Sequence, residues 1–300
     1  FVIVDEVTYV DRWDRAVKFL ADTGILADTV LVLTRTDLGL LRDVRTYLPG
    51  RRGRSSIVDF HLHPLTWIQT CELTGELHAD ERTALESATG WDPDALSREG
   101  WARCWHSLDA FLRHGGFLTA LNDVARNGAV ETSTLSIYSD WIRGDMLKRG
   151  KSEHLLREVL QAVTGRLGSH YSWNALSRDL SIDHPSTVAD YVQLLERMDA
   201  LFIQAALEER GLTAAPKKAR KVVPTDPFIL HAIESWLRPS TDPAVEVVEH
   251  RLGDPSATAT LIEAVAVSHA RRHFPTFSSS RLPARSTLPS WSVGGSIPSR

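Results

Sequence analysis

The hydrophobic pattern of residues 1–70 alternates between strand and helix. Phe1–Val4 and Thr29–Leu33 are short, almost wholly apolar runs, and Asp11–Ala21 between them has apolar residues at helical spacing. Apolar strands joined through a helix are typical of parallel, buried strands in an α/β sheet. We therefore predict that this region belongs to an α/β domain.

Polar residues follow both predicted strands at the point where each strand ends. Asp5-Glu6 follows the first strand, and Thr34-Arg35-Thr36 follows the second. In open parallel sheets, ligands bind outside the carboxyl ends of the strands. The pattern therefore predicts that both polar segments face one site.

The next region, residues 71–148, has a helical pattern that begins near Trp67. Gly115-Gly116 interrupts it, and several tryptophans are available as packing anchors. We predict a helical lid region here.

Residues 149–225 carry the clearest supersecondary pattern of the chain. Its elements, in order, are a helix at Glu153–Gly165, a short helix beginning at Ser172, a turn at Ile182–Pro185, a helix at Ser186–Leu195, and strands at Leu201–Ile203 and Lys217–Val223. Helix, short helix, turn and helix followed by a strand pair is the order of a winged helix-turn-helix. We predict that fold.

The C-terminal part divides into two regions. Residues 226–277 return to a helical pattern, whereas residues 278–300 are rich in Ser, Pro, Arg and Gly and have no period. The second composition is typical of a disordered tail. The predicted fold class is therefore α/β followed by mainly α.

Composition and charge narrow the function classes only a little. The net charge of −4 gives no overall nucleic-acid signature, so DNA contact requires a local basic patch. Two cysteines in 300 residues argue against a disulfide framework or a Cys-based zinc site. No apolar run has the length of a membrane span, and we expect a cytoplasmic protein without a membrane partner.

Several motifs in a consistent order resemble the prokaryotic AAA-type ATPases of the archaeal-ATPase kind, over roughly residues 1–277. The motifs are Asp5-Glu6, Leu48–Arg54, His63-Pro64-Leu65-Thr66-Trp67, Gly115-Gly116-Phe117, Gly150-Lys151-Ser152-Glu153 and the Pro185–Leu195 helix. These ATPases combine a P-loop domain, a winged helix and a C-terminal domain of unknown function similar to restriction endonucleases. The resemblance implies that residues 1–70 are the C-terminal part of a P-loop NTPase sheet, from Walker B onward, and that residues 226–277 begin a partial nuclease-like domain.

The resemblance also implies roles for individual residues, with ATP and Mg²⁺ as cofactors. Asp5 would hold Mg²⁺ through water, and Glu6 would orient or deprotonate the attacking water. Thr36, or less favourably Thr34, would be the sensor at the neighbouring strand end. Arg51, Arg52 or Arg54 of the basic loop could present a guanidinium to a nucleotide phosphate, and Arg54 is preferred because it matches the Gly-Arg pair of these ATPases. Self-association through the ATPase domain is a further implied partnership.

The chain departs from this family at two places. It has no Walker A motif, which should hold the phosphates. We therefore expect the chain to be the later part of a longer protein and to be inactive by itself. A helix acid, Glu263, matches the nuclease-like domain, but the Glu-Val-Asp strand that should follow is missing. Back-translation of Ser280–Arg300 with GC-rich codons yields that strand in another frame, which suggests a frameshift. Sequencing across the codons for Phe274–Ser280 tests this hypothesis.

An alternative function is a non-enzymatic winged-helix module with a vestigial ATPase half. In that case Asp5-Glu6 is only a solvated turn after a buried strand. Duplex DNA would be held at its phosphates by the basic wing, which comprises Lys217, Lys218, Arg220 and Lys221. The predicted recognition helix Ser186–Leu195 contains no Lys or Arg, which favours protein contacts instead.

Two histidines stand close together after the basic loop. His61 and His63 alternate along a predicted strand and so share a face. No carboxylate partner is evident in the sequence around them. We interpret them as core or surface histidines rather than metal ligands.

Overall fold

The computed structural model describes residues 1–7, 10–35, 48, 50, 60–87, 93–208, 213–215 and 218–273. Helices dominate this part of the chain, and its sheets have two strands each. The described residues therefore have a mainly α fold with a small parallel strand pair at the N-terminus.

The N-terminal unit is a strand, a helix and a second strand. Strand β1 (Val2–Val4) pairs in parallel with β2 (Leu31–Leu33), and helix α1 (Trp13–Asp22) lies between them in the chain. This confirms the predicted parallel pairing. The strands are less buried than predicted: Ile3 is 59% exposed and Val2 is 45% exposed, because the described residues provide no third strand or covering layer over them.

Within residues 60–87 and 93–148, a segment without helix or strand at 60–66 precedes five α-helices and a 3-10 turn at Pro93–Ala95. The helices are α2 (Trp67–Thr74), α3 (Ala79–Ser87), α4 (Arg98–His114), α5 (Leu118–Asn127) and α6 (Thr132–Lys148). Helix α2 begins with a capping box, in which the side chains of Thr66 and Gln69 each accept a hydrogen bond from the other residue's backbone N–H group. The predicted helical region is confirmed, including the break between α4 and α5.

Three helices and an antiparallel strand pair follow. They are α7 (Glu153–Thr164), α8 (Trp173–Ser177), α9 (Pro185–Arg197), β3 (Leu201–Ala205) and β6 (Arg220–Pro224). A short pair, β4 (Leu207–Glu208) and β5 (Thr213–Ala214), extends the strands. Ser172 accepts a hydrogen bond from the Ala175 N–H group at 3.1 Å, so it caps α8 as predicted.

The last described elements pack against the preceding helices. They are α10 (Pro227–Leu237), a π-helical segment at Ala244–Glu249, α11 (His250–Leu252) and α12 (Pro255–His273). Nine of the eleven residues of α10 are buried, so α10 is the central helix of the core. The main hydrophobic cluster runs from Ala120 to Leu237 and crosses the predicted boundaries at 148/149 and 225/226.

A pair of glycines lets α10 approach the corner between α4 and α5. Asp226, which is 2% exposed, caps α10 by accepting from the Phe228 N–H group, and its other oxygen accepts from the Gly116 N–H group; both distances are 2.9 Å. The Leu65 N–H group donates to the Gly116 carbonyl at 2.8 Å. Burial raises the pKa of Asp226 to about 7, against the opposing effect of these backbone donors. The corner thus joins the 60–66 segment, the helical region and α10.

Candidate functional site

The polar ends of β1 and β2 meet at one edge of the parallel pair. The Thr34 hydroxyl donates to the Asp5 carboxylate, and the Glu6 N–H group donates to the same hydroxyl oxygen at 3.1 Å. The Val7 N–H group donates to the Thr34 carbonyl at 3.1 Å. The structure therefore joins Asp5 and Thr34 directly, at the position that the alternation of strand and helix predicts.

The backbone turns sharply directly after β1. Glu6 has a φ of 48°, in the left-handed region that side chains other than Gly, Asn and Asp seldom adopt. Asp5 is exposed and Glu6 is half-buried, so both carboxyl groups are at the surface of the strand pair. Unusual backbone conformations of this kind are concentrated at functional sites. The turn places two acids and one hydroxyl within a single small region.

Several predicted site residues lie outside the described residues. They are Thr36, Arg51, Arg52, Arg54 and Lys217. Of the two candidate sensor threonines, the structure therefore gives the position of Thr34 alone.

Gly150-Lys151-Ser152 has the last three residues of a Walker A motif in a different structural setting. Five residues separate Gly144 from Gly150, where the motif has four, and helix α6 rather than a strand precedes the segment. Lys151 contacts the Asp190 carboxylate, and Ser152 caps α7 by accepting from the Leu155 N–H group. This segment is a connection between helices and not a phosphate-binding loop.

The predicted basic wing is partly used in internal contacts. The Arg220 guanidinium lies 4.5 Å from the ring centre of Trp173, and burial lowers the Arg220 pKa from its usual value. Lys221 forms an ion pair with Glu263 of α12, and its side chain is only 14% exposed. Lys218 is exposed. Two of the four predicted DNA-contacting side chains thus hold β6 against α8 and α12.

The sequence analysis did not predict one cluster of the structure, which consists of two histidines and one carboxylate. His61 Nε2 lies 2.9 Å from Asp199 Oδ2, and His63 Nδ1 lies 4.0 Å from the same oxygen. Burial, with a smaller effect of His61, lowers the pKa of His63 to about 4. Asp199 is 138 positions from His61, so only the fold brings them together. The alternation of the two histidines was the one signal that the sequence contained.

A comparison with protein-family models gives a match in the helical part of the chain. Residues 106–240, a little under half of the 300 residues, match the family model described as a domain of unknown function (DUF8612). The match includes the corner between α4 and α5, helices α7, α8 and α9 with strands β3 and β6, and helix α10. Neither the search of curated proteins nor the search of solved structures returned a match. Among the described residues, no helix has the combination of length and apolarity required to span a bilayer.

Proposed function

We propose that this chain is part of an AAA-type ATPase, and that the edge formed by Asp5, Glu6 and Thr34 is the magnesium and water side of its ATP site. The observation that carries the proposal is the direct contact between Asp5 and Thr34 at the carboxyl ends of adjacent parallel strands. Ligands of parallel sheets bind at this edge. The resemblance of the surrounding motifs to AAA-type ATPases supports the same function.

The oxygen donors at this edge suit the chemistry of ATP hydrolysis. Carboxylate and water oxygens are the ligands that Mg²⁺ prefers, and Asp5 would hold the ion through water. When bound, Mg²⁺ neutralises charge on the phosphate oxygens. Glu6 would orient the attacking water and accept its proton, and Thr34 would fix the Asp5 carboxylate through the hydrogen bond described above. Thr36 and Arg54 remain predicted contacts to the phosphates.

The exposed apolar residues of the strand pair also support the proposal. Phe1, Val2 and Ile3 are 79%, 45% and 59% exposed, and Val32 of β2 is 36% exposed. Parallel strands are normally covered on both faces, and exposed apolar patches mark surfaces that are buried elsewhere. A larger parallel sheet of the kind found in P-loop ATPases would cover this surface.

Replacement of Asp5 by Asn tests the proposal in the full-length protein. We expect Mg²⁺-dependent ATP hydrolysis by the wild type and a fall in kcat/KM of about 100-fold or more in Asp5→Asn, because the carboxylate charge that attracts the ion is lost. Steady-state phosphate release over a Mg²⁺ titration measures the effect. Asp28→Asn, an exposed change in the loop before β2, is the control. Equal Mg²⁺ dependence in wild type and Asp5→Asn would reject the assignment.

We further propose that residues 149–225 are a winged helix. The order of α7, α8 and α9 and the antiparallel pairing of β3 with β6 support this interpretation. The exposed face of α9 carries Ser186 and Gln193, and its one arginine is Arg197 in the last turn. Because Arg220 and Lys221 contact other parts of the chain, DNA contact would depend chiefly on the sequence pair Lys217-Lys218.

Duplex DNA binding is expected to weaken when the wing loses its charge. In the Lys217→Ala, Lys218→Ala variant we expect the slope of log K against log salt to fall by about 1 to 2, because each lost phosphate contact removes about one unit. Fluorescence anisotropy over a salt series measures this slope. Lys148→Ala, a change at a lysine on α6 whose side chain is 65% exposed, is the control. An unchanged salt slope, or no DNA binding by the wild type, would reject the DNA contact. Residues 149–225 would then be assigned a role in protein contacts.

A further inference from the structure

The segment that begins at residue 60 and the turn after α9 bring three metal-binding side chains together. His61 and His63 flank Leu62, which is 95% exposed, and their ring centroids lie 3.7 Å apart. Asp199 lies in the turn between α9 and β3. One nitrogen of each histidine and one oxygen of Asp199 all lie within 4.8 Å of one another.

We propose that His61, His63 and Asp199 form a binding site for a divalent transition-metal ion, with Zn²⁺ as the fitting ion. Two imidazoles and one carboxylate are a ligand set for zinc and for its neighbours in the first transition row, whereas Mg²⁺ and Ca²⁺ prefer oxygen ligands alone. Three protein ligands leave a coordination position for water or for another donor.

The distances suit an ion of this size. Zinc bonds of about 2.0–2.2 Å place neighbouring tetrahedral ligand atoms about 3.4 Å apart. The distances from Asp199 Oδ2 to the two imidazole nitrogens, 2.9 and 4.0 Å, lie on either side of that value. The two ring centroids lie 3.7 Å apart at an interplanar angle of 39°. All three ligand atoms already lie within 4.8 Å of one another without an ion.

The surroundings hold the carboxylate in place. Asp199 has a φ of 56°, a backbone conformation that Asp tolerates better than most residues, and its carbonyl accepts from the Thr225 hydroxyl at 2.5 Å. Arg271 Nη1 lies 3.4 Å from Asp199 Oδ1, which leaves Oδ2 directed at the histidines. Ligating carboxylates commonly have an outer hydrogen-bond partner of this kind.

A metal ion at this position would fasten the 60–66 segment to the turn between α9 and β3. The segment is already held nearby, because Arg272 Nη1 donates to the Pro64 carbonyl at 2.6 Å. The ion would therefore connect the end of the predicted ATPase region, residues 1–70, to the proposed winged helix. Neither proposal depends on the other, since the ligands include none of the residues at the β1 and β2 strand ends.

Titration of the purified protein with Zn²⁺ and Co²⁺ tests the site. We expect one ion per chain at saturation by calorimetry, visible absorption bands from bound Co²⁺, and a rise in Tm with Zn²⁺. In His61→Ala and in His63→Ala the affinity should fall by at least about 10-fold, since even outer partners of metal ligands contribute that much. Asp199→Asn should show a similar loss.

His170→Ala is the matched control, because His170 is exposed in the connection between α7 and α8. The Zn²⁺ affinity of the His170→Ala variant should equal that of the wild type. Addition of Mg²⁺ should not displace bound Co²⁺. The proposal is overturned if the wild type shows no saturable one-to-one binding. It is equally overturned if the His61→Ala, His63→Ala double variant binds Zn²⁺ with an unchanged Kd.

Discussion

Gly115→Ala is expected to lower the free energy of unfolding by at least about 4 kcal/mol, a loss that only a few mechanisms produce. Gly115 ends α4 with φ 62° and ψ −158°, a conformation that is essentially restricted to glycine. A Cβ atom at this position would lie 1.8 Å from Asp226 Oδ1 and 2.9 Å from Phe228 Cβ. Backbone strain and overpacking each cost about 1–3 kcal/mol, and displacement of the buried Asp226 carboxylate adds to them.

Urea unfolding with a second glycine as control measures this effect. Gly144 lies inside α6, where a Cβ atom would meet no other atom within 4 Å, and Gly144→Ala should stabilise the protein by about 0.5–1 kcal/mol. The Gly115→Ala, Asp226→Ala double variant should lose less than the sum of the two single changes, because removal of the carboxylate removes the closer of the two collisions. A Gly115→Ala variant as stable as the wild type would contradict the close approach of α10 to this corner.

Local signals in the sequence predicted the elements well. Ser172 could be recognised as a helix cap, and the β-type apolar run Leu201-Phe202-Ile203 predicted β3. Apolar runs separated by a helix predicted the parallel pairing of β1 with β2, and so the meeting of Asp5 and Thr34. These features depend on residues close in sequence or on a general rule of parallel sheets, which is why they could be predicted.

Long-range partnerships could not be predicted from local pattern. Asp199 reaches His61 across 138 positions, and Lys221 reaches Glu263 across 42. The basic residues of the wing were interpreted as a DNA surface, but Arg220 packs on Trp173, and nothing in the local sequence distinguishes a stacked arginine from a solvated one. The burial of Asp226 likewise depends on the glycine pair at the corner, about 110 positions away, whose need for close packing is visible only in the fold.

The proposed ATPase function has its strongest consequence at Glu6. The structure positions this residue immediately after the carboxylate that contacts Thr34, in a left-handed turn. If Glu6 activates the attacking water, its role ends with the transfer of a proton and does not extend to holding ATP. Loss of its charge should then affect the chemical step and leave nucleotide binding intact.

The most direct test is the rate of ATP hydrolysis by the Glu6→Gln variant of the full-length protein. We predict a kcat at least about 100-fold below that of the wild type, because general bases contribute about 10²–10⁴-fold, and an ATP affinity close to the wild-type value. Glu99→Gln, at an exposed position in the first turn of α4, should hydrolyse ATP at the wild-type rate. A Glu6→Gln protein with wild-type kcat, or a wild type that hydrolyses no ATP, would contradict the account.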